Sequence, residues 1–160
     1  MVIRNIEKED LEEIAELESR AFPAGIAADI DTFTYRLRAF PESFFVAEAE
    51  HRIIGYINGG ASSQNLITDE LFQPGHHCPI GENQMIFGLA VHPVYRKHGV
   101  AATLLERMIR FSKETKKKSV VLTCEERLVP YYERFGFECV GLSQSEIGKI
   151  KWFDMALKLN

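Results

Sequence analysis

The sequence predicts one mixed α/β domain over residues 1–160, on three grounds. Residues 84–102 begin as an apolar run of strand type, turn at His92-Pro93 and continue as a long amphipathic segment. Residues 44–49 and 53–58 read as two strands close enough in sequence to form a hairpin. A chain of 160 residues with 46% apolar and 26% charged content is long enough for one sizeable core and has the composition of an ordinary globular protein.

Taken in order, residues 2–6 alternate and predict a short first strand. Residues 7–10 are acidic enough to suit a helix N-terminus. Leu11, Ile14, Ala15, Ala21 and Phe22 then recur at helical spacing, and Pro23-Ala24-Gly25 breaks the pattern. A second helix is expected from near Asp29 to Ala39, with Ile30, Phe33, Leu37 and Phe40 on one side and Pro41 as its stop. In the hairpin that follows, Glu50-His51-Arg52 is expected as the loop. Residues 61–82 are the least regular stretch, with Pro74, Gly75, Pro79 and Gly81. They are expected to lie over the acceptor side of a site.

Past the 84–91 run, Val100, Ala101, Leu104, Leu105, Met108 and Ile109 make a continuous stripe on a long helix. Lys113 and Lys116-Lys117-Lys118 close it. A basic run of this kind suits nucleic acid or a phosphate, but a solvated helix end, favourable to the dipole, is the preferred reading. Residues 119–124 read as a buried strand. Pro130 suits the first turn of a short helix and Gly136 its C-terminal cap, with a strand at 137–140 and a last strand over 147–157.

A net charge of −4 argues against a nonspecific nucleic-acid binder and tolerates cationic amine substrates. Cys78, Cys124 and Cys139 have neither paired nor metal-ligand spacing, so reduced cytosolic thiols, a cytoplasmic location and no metal are expected. No apolar run reaches the length of a membrane span, and no leader opens the chain.

The chemistry concentrates at Arg96-Lys97-His98-Gly99-Val100-Ala101-Ala102. A glycine turn opening a helix offers unpaired N–H groups and the positive end of the dipole to an anion. This stretch resembles the GNAT superfamily of acyl-CoA-dependent N-acyltransferases, whose R/Q-x-x-G-x-G/A pattern matches Arg96-x-x-Gly99-x-Ala101 after the strand Leu89-Ala90-Val91. The resemblance implies a mostly antiparallel central sheet, splayed at the cofactor strand, with helices on both faces. It implies that the amides of Arg96 to Ala102, with Lys97, His98 and Val100 among them, hold the pyrophosphate of acetyl-CoA. Leu89, Ala90 and Val91 would pair with the pantetheine arm.

A second block, Tyr132-Glu133-x-x-Gly136-Phe137, resembles another signature of the superfamily. By it Tyr132 lies near the sulfur of acetyl-CoA and protonates the departing thiolate, while Tyr131 packs. Arg20-Ala21-Phe22, Leu89-Ala90-Val91-His92 and residues 124–133 resemble the arylalkylamine N-acetyltransferase branch. That resemblance implies an aromatic amine pocket bordered by Phe22, Pro23 and Trp152; by residue type alone these are equally core or hinge aromatics. The chain departs from the branch at Met85 and Phe87, where the animal enzymes carry two histidines proposed to relay the amine's proton. His76, His77 and Glu82 are the nearest ionisable substitutes, and His92 is expected to serve the turn. A Cys-His-Asp arrangement around Cys124 is missing, so direct transfer is expected in place of an acyl-enzyme.

The expected function is acetyl transfer from acetyl-CoA to a primary amine, an arylalkylamine or polyamine, by a monomer or homodimer. Acetylation of a protein N-terminus or lysine is the alternative, and a regulatory acyl-CoA-binding module is the alternative of another class.

Overall fold

The structure, a computed structural model, describes residues 1–160. Its strands are β1 (Val2–Asn5), β2 (Phe44–Ala49), β3 (Arg52–Asn58), β4 (Ala61–Ser62), β5 (Asn83–Met85), β6 (Gly88–Val91), β7 (Ser119–Glu125), β8 (Glu138–Leu142) and β9 (Trp152–Lys158). Its α-helices are α1 (Leu11–Ala21), α2 (Ile30–Ala39), α3 (Val100–Glu114) and α4 (Val129–Glu133). The mixed α/β class is as expected. The chain forms two compact units, Met1–Gly60 with Phe87–Phe111, and Ala61–Ile86 with Ser112–Asn160. No helix is long and apolar enough to cross a membrane.

The first unit is built on an antiparallel sheet in the order β1-β2-β3-β6. The β2–β3 turn is tighter than expected: Arg52 pairs with Ala49, so the loop is Glu50-His51 alone. Both residues have positive φ, 52° and 63°, the left-handed pair whose twist suits a two-residue hairpin. Asp29 caps α2 by accepting the Thr32 N–H at 2.9 Å, which explains why that helix starts where the sequence places it. The core gathers Ile14 and Leu17 of α1, Phe33 of α2, Phe44 of β2 and Tyr56 of β3. Ile30 is 42% exposed and does not share that face, because as the first residue of α2 it projects beyond the packed turns. The α3 stripe is buried at Val100, Leu104, Leu105 and Met108. It packs against Gly55, where an added Cβ would stand 3.1 Å from Val100 Cγ1 and 3.2 Å from Leu104 Cδ1.

The run at residues 84–91 is not one strand. The Ile86 N–H donates to Val121 O at 2.9 Å, whereas the Phe87 N–H donates to Asn58 O at 2.8 Å. The chain therefore changes ladders between Ile86 and Phe87, leaving β5 in one sheet and β6 in the other. Apolar periodicity does not record which neighbour a strand's amides choose.

The second unit carries a sheet in the order β4-β5-β7-β9-β8, parallel at β5–β7 and otherwise antiparallel. The irregular stretch after β4 includes a 3-10 turn at Asp69–Phe72, and it is tied down. Asp69 Oδ1 accepts from Ser145 Oγ at 2.6 Å, and Oδ2 accepts from the Glu146 N–H at 3.0 Å. Lys117 Nζ donates to Pro79 O and Gly81 O, at 3.1 and 2.6 Å, and Lys118 pairs with Glu82 at 2.9 Å. The basic run is thus partly a clamp on this segment, a correction to the solvated helix end read from the sequence. The last strand starts five residues later than expected, at Trp152, because a 3-10 turn over Ile147–Lys149 with a left-handed Gly148 precedes it.

Candidate functional site

In the first unit, β6 runs into a 3-10 turn at Pro93–Tyr95 and then into α3. His92 serves the turn as expected: its Nδ1 accepts the Val94 N–H at 3.2 Å. Arg96 Nε donates to Val91 O at 3.3 Å, tying the basic residue to the end of β6. Lys97 and Gly99 both have left-handed backbone, φ 65° and 80°, and Arg96, Lys97, His98 and Gly99 are exposed. An added Cβ on Gly99 would meet nothing within 4 Å, so conformation, not space, demands the glycine. The Thr103 N–H makes the first bond of the helix, to Gly99 O at 3.0 Å. The N–H groups of Val100, Ala101 and Ala102 precede that bond and have no acceptor within the helix. With the helix dipole behind them, these N–H groups can receive an anionic group.

Tyr132 lies in the second unit, on α4, which Pro130 opens and a left-handed Gly136 at φ 95° follows. It is buried and stacks edge-on to Tyr131 and Phe137 at centroid distances of 5.3 and 5.9 Å. Burial, with Cys124 and Tyr131 adding to it, pushes its phenol well above the ordinary range, so it remains a protonated donor. Burial likewise pushes the Cys124 thiol up to about 12, which suppresses the thiolate an acyl-enzyme would need.

The three residues read as an amine pocket do not fall together in one unit. Phe22 is half-buried and packs against the core of the first unit. Pro23 is exposed, and its carbonyl accepts from the N–H groups of Ile26 and Ala27. Trp152 belongs to the second unit, where its Nε1 donates to Ile147 O at 2.8 Å. His77, one of the proposed substitutes for the relay histidines, accepts the Ala61 N–H on Nδ1 at 3.0 Å.

Sequence reading missed a buried polar cluster beside the start of β6. Glu18, 5% exposed on α1, accepts from the Tyr56 hydroxyl on Oε1 and from the Ala28 N–H on Oε2 at 2.9 Å. Burial raises the Glu18 carboxyl despite those bonds and a favourable charge on Arg36, and burial with the Glu18 charge raises the Tyr56 phenol well above its ordinary range. Arg36 of α2, also buried, donates to Asn58 Oδ1 at 3.2 Å. An added Cβ on Gly88 would lie 2.8 Å from Tyr56 Oη and 3.6 Å from Asn58 Oδ1. The only sequence signal was a glutamate on the helix's apolar side, at Leu11-Ile14-Glu18 spacing, which periodicity alone treats as noise.

Comparison with known proteins bears on the family and the fold. The pattern of the acetyltransferase (GNAT) family matches residues 11–137. Serotonin N-acetyltransferase of Mesocricetus auratus is 27% identical over 161 residues, covering 98% of this chain and 76% of that protein. Among solved structures, a GphF GNAT-like decarboxylase in complex with isobutyryl-CoA superposes with a TM-score of 0.84 at 19% identity, over 100% of both chains. YncA, a putative acetyltransferase from Salmonella typhimurium solved with its cofactor acetyl-CoA, gives 0.75 at 20% identity, over 99% of this chain and 94% of that one. With the strand, the left-handed turn and the helix behind it in place, the chain belongs to the acetyltransferase (GNAT) family.

Proposed function

We propose that the two units form one N-acetyltransferase domain that moves an acetyl group from acetyl-CoA to a primary amine, a small arylalkylamine or polyamine. The observation that carries it is the left-handed Gly99 opening α3 directly after β6, which leaves three helix N–H groups for the pyrophosphate. Leu89, Ala90 and Val91 pair with the pantetheine, and a backbone N–H of that strand stabilises the tetrahedral oxyanion. Phe22, Pro23 and Trp152 contact the acceptor.

The amine must lose a proton before its lone pair attacks the thioester. Met85 and Phe87 cannot take it. Glu18 can, with the Tyr56 hydroxyl passing its own proton to Glu18 Oε1 as it accepts the amine's. The C–N bond forms, the C–S bond breaks, and the thiolate takes the Tyr132 proton. Most of the acceleration comes from holding amine and thioester together.

The relative named serotonin N-acetyltransferase favours an arylalkylamine acceptor. Thiol release from acetyl-CoA with arylalkylamines, polyamines and short peptides tests the reading. Turnover with an amine from either of the first two sets supports it. Turnover with peptides alone transfers the activity to protein N-termini or lysines, and tight acetyl-CoA binding without turnover on any set overturns the enzyme reading.

A further inference from the structure

Asp154 of β9 is a buried carboxylate that the acetyl transfer described above does not use. It is 5% exposed, and its Oδ1 is buried without a hydrogen-bond partner. Burial raises the carboxyl above its ordinary value, with the Ser143 hydroxyl acting against it. A buried carboxylate oxygen left unmatched is costly, and a cation that reaches it offsets that cost. Space adjoins it. The residue opposite Asp154 is Gly141 of β8, half-buried on the edge strand of its sheet. An added Cβ on Gly141 would meet nothing within 4 Å.

The register of the sheet says which side of the reaction this carboxylate serves. Asp154 pairs with Thr123, and Trp152 with Glu125. Side chains alternate along a strand, so Trp152 and Asp154 share one face, about 7 Å apart along β9, and Cys124 faces the other. Tyr132 lies on the Cys124 side, close enough for Cys124 to act on its phenol. β5 pairs with β7 only as far as Val121, so Thr123 stands on an edge that no strand of its sheet covers. Asp154 is one strand spacing, about 4.8 Å, in from that edge. In the acetyl-transfer reading the thiol leaves beside Tyr132 and the acceptor lies against Trp152, which puts Asp154 on the acceptor's side. We propose that Asp154 is an ammonium subsite that makes the acceptor a diamine or polyamine: one amine is acetylated while another, still protonated, is held by Asp154 Oδ1. The inference rests on the acetyl-transfer reading and selects among its acceptors. The transfer is unchanged: the reacting amine gives up a proton, its nitrogen bonds the thioester carbon, and the thiolate leaves and is protonated. An acceptor with a single ammonium leaves the carboxylate unmatched, so the subsite discriminates by charge and not by size.

Steady-state kinetics of the full chain with acetyl-CoA at neutral pH tests it, comparing putrescine with pentylamine, cadaverine with hexylamine, and diaminooctane with nonylamine. Each pair exchanges a terminal ammonium for a methyl group. At least one diamine is expected to show kcat/KM about 10- to 100-fold above its monoamine, the range of a buried hydrogen bond to a charged group, with the difference in KM. Asp154→Asn, which keeps the shape of the side chain, brings that ratio to near one by raising the KM of the diamine. Thermal melts establish that the variant folds; if it does not, Asp154→Ser takes its place, and if neither folds the wild-type ratio decides. Monoamines used as well as their diamines, or a ratio untouched in a folded variant, overturns the subsite and leaves acetyl transfer standing. No turnover with any amine, arylalkylamines included, overturns the acetyl-transfer reading and the subsite with it.

Discussion

The Tyr56 hydroxyl occupies the space a side chain at residue 88 would need: a Cβ on Gly88 would lie 2.8 Å from Tyr56 Oη. Tyr56 is fully buried and cannot swing away without losing its bond to Glu18. Gly88→Ala is therefore expected to cost about 1–3 kcal/mol, the usual range for overpacking. Urea unfolding reads it. An unchanged midpoint would mean that the hydroxyl moves freely.

Glu18 is raised above its ordinary value of 4.5, chiefly by burial. A base works only when deprotonated, so kcat is expected to fall as pH drops through a value above 4.5. Glu18→Gln should remove that limb and lower kcat by about 100-fold or more. The same raised value has an opposite sign for stability: the folded state holds the proton more tightly, so stability declines as pH rises from 4.5 through the folded value, and Glu18→Gln flattens that decline. A kcat profile identical in wild type and Glu18→Gln rules the carboxylate out as the base.

Tyr132→Phe should lower kcat about ten- to a few hundred-fold with little change in KM for acetyl-CoA, since the hydroxyl acts on the departing thiolate. Because burial holds the phenol protonated, the wild-type rate should show no alkaline limb from this residue in its ordinary range near 10. Steady-state kinetics across pH checks both. An unchanged kcat would remove Tyr132 as the acid.

Gly99 separates conformation from charge. Gly99→Ala meets no atom but must adopt φ 80°, a strain of about 1–2 kcal/mol. Gly99→Asp carries the same strain and adds a negative charge at the turn. Acetyl-CoA affinity by calorimetry should therefore fall further in the aspartate variant than in the alanine variant. Equal affinities in the two would place the phosphates elsewhere.

Arg4 holds Asp10 through two bonds, Nη1 to Oδ2 at 2.7 Å and Nη2 to Oδ1 at 2.9 Å. Burial pushes the Asp10 carboxyl up, but the bonds from Arg4 and the Glu7 N–H outweigh it and leave it below 3.8. That contribution is present above 3.8 and is lost as pH falls through the folded value. Arg4→Met is expected to destabilise by about 1–2 kcal/mol at neutral pH. The deficit should shrink on acidification, as unfolding curves of the pair would show; a constant deficit would assign the loss to packing.

The sequence pointed clearly to elements whose cause is local. Asp29 caps α2 through its own side chain, Pro130 and Gly136 bracket α4, and the α3 stripe follows from 3.6-residue spacing. It failed where the cause is a distant partner. The break between Ile86 and Phe87 is decided by Val121 and Asn58, and the role of Lys117 by the carbonyls of Pro79 and Gly81. The turn at Arg96 to Ala102 was legible because its glycine is demanded by local φ. The Glu18–Tyr56 pair was not, because it joins residues 38 positions apart and only burial gives it meaning.

The most direct measurement is the product itself: incubation with acetyl-CoA and an arylalkylamine or polyamine acceptor, with thiol release and the mass of the amine followed together. The account predicts one N-acetyl amine for each thiol released, with both rates falling in parallel in Tyr132→Phe and Glu18→Gln. Thiol release without an acetylated amine would make the reaction hydrolysis of the thioester and contradict the account.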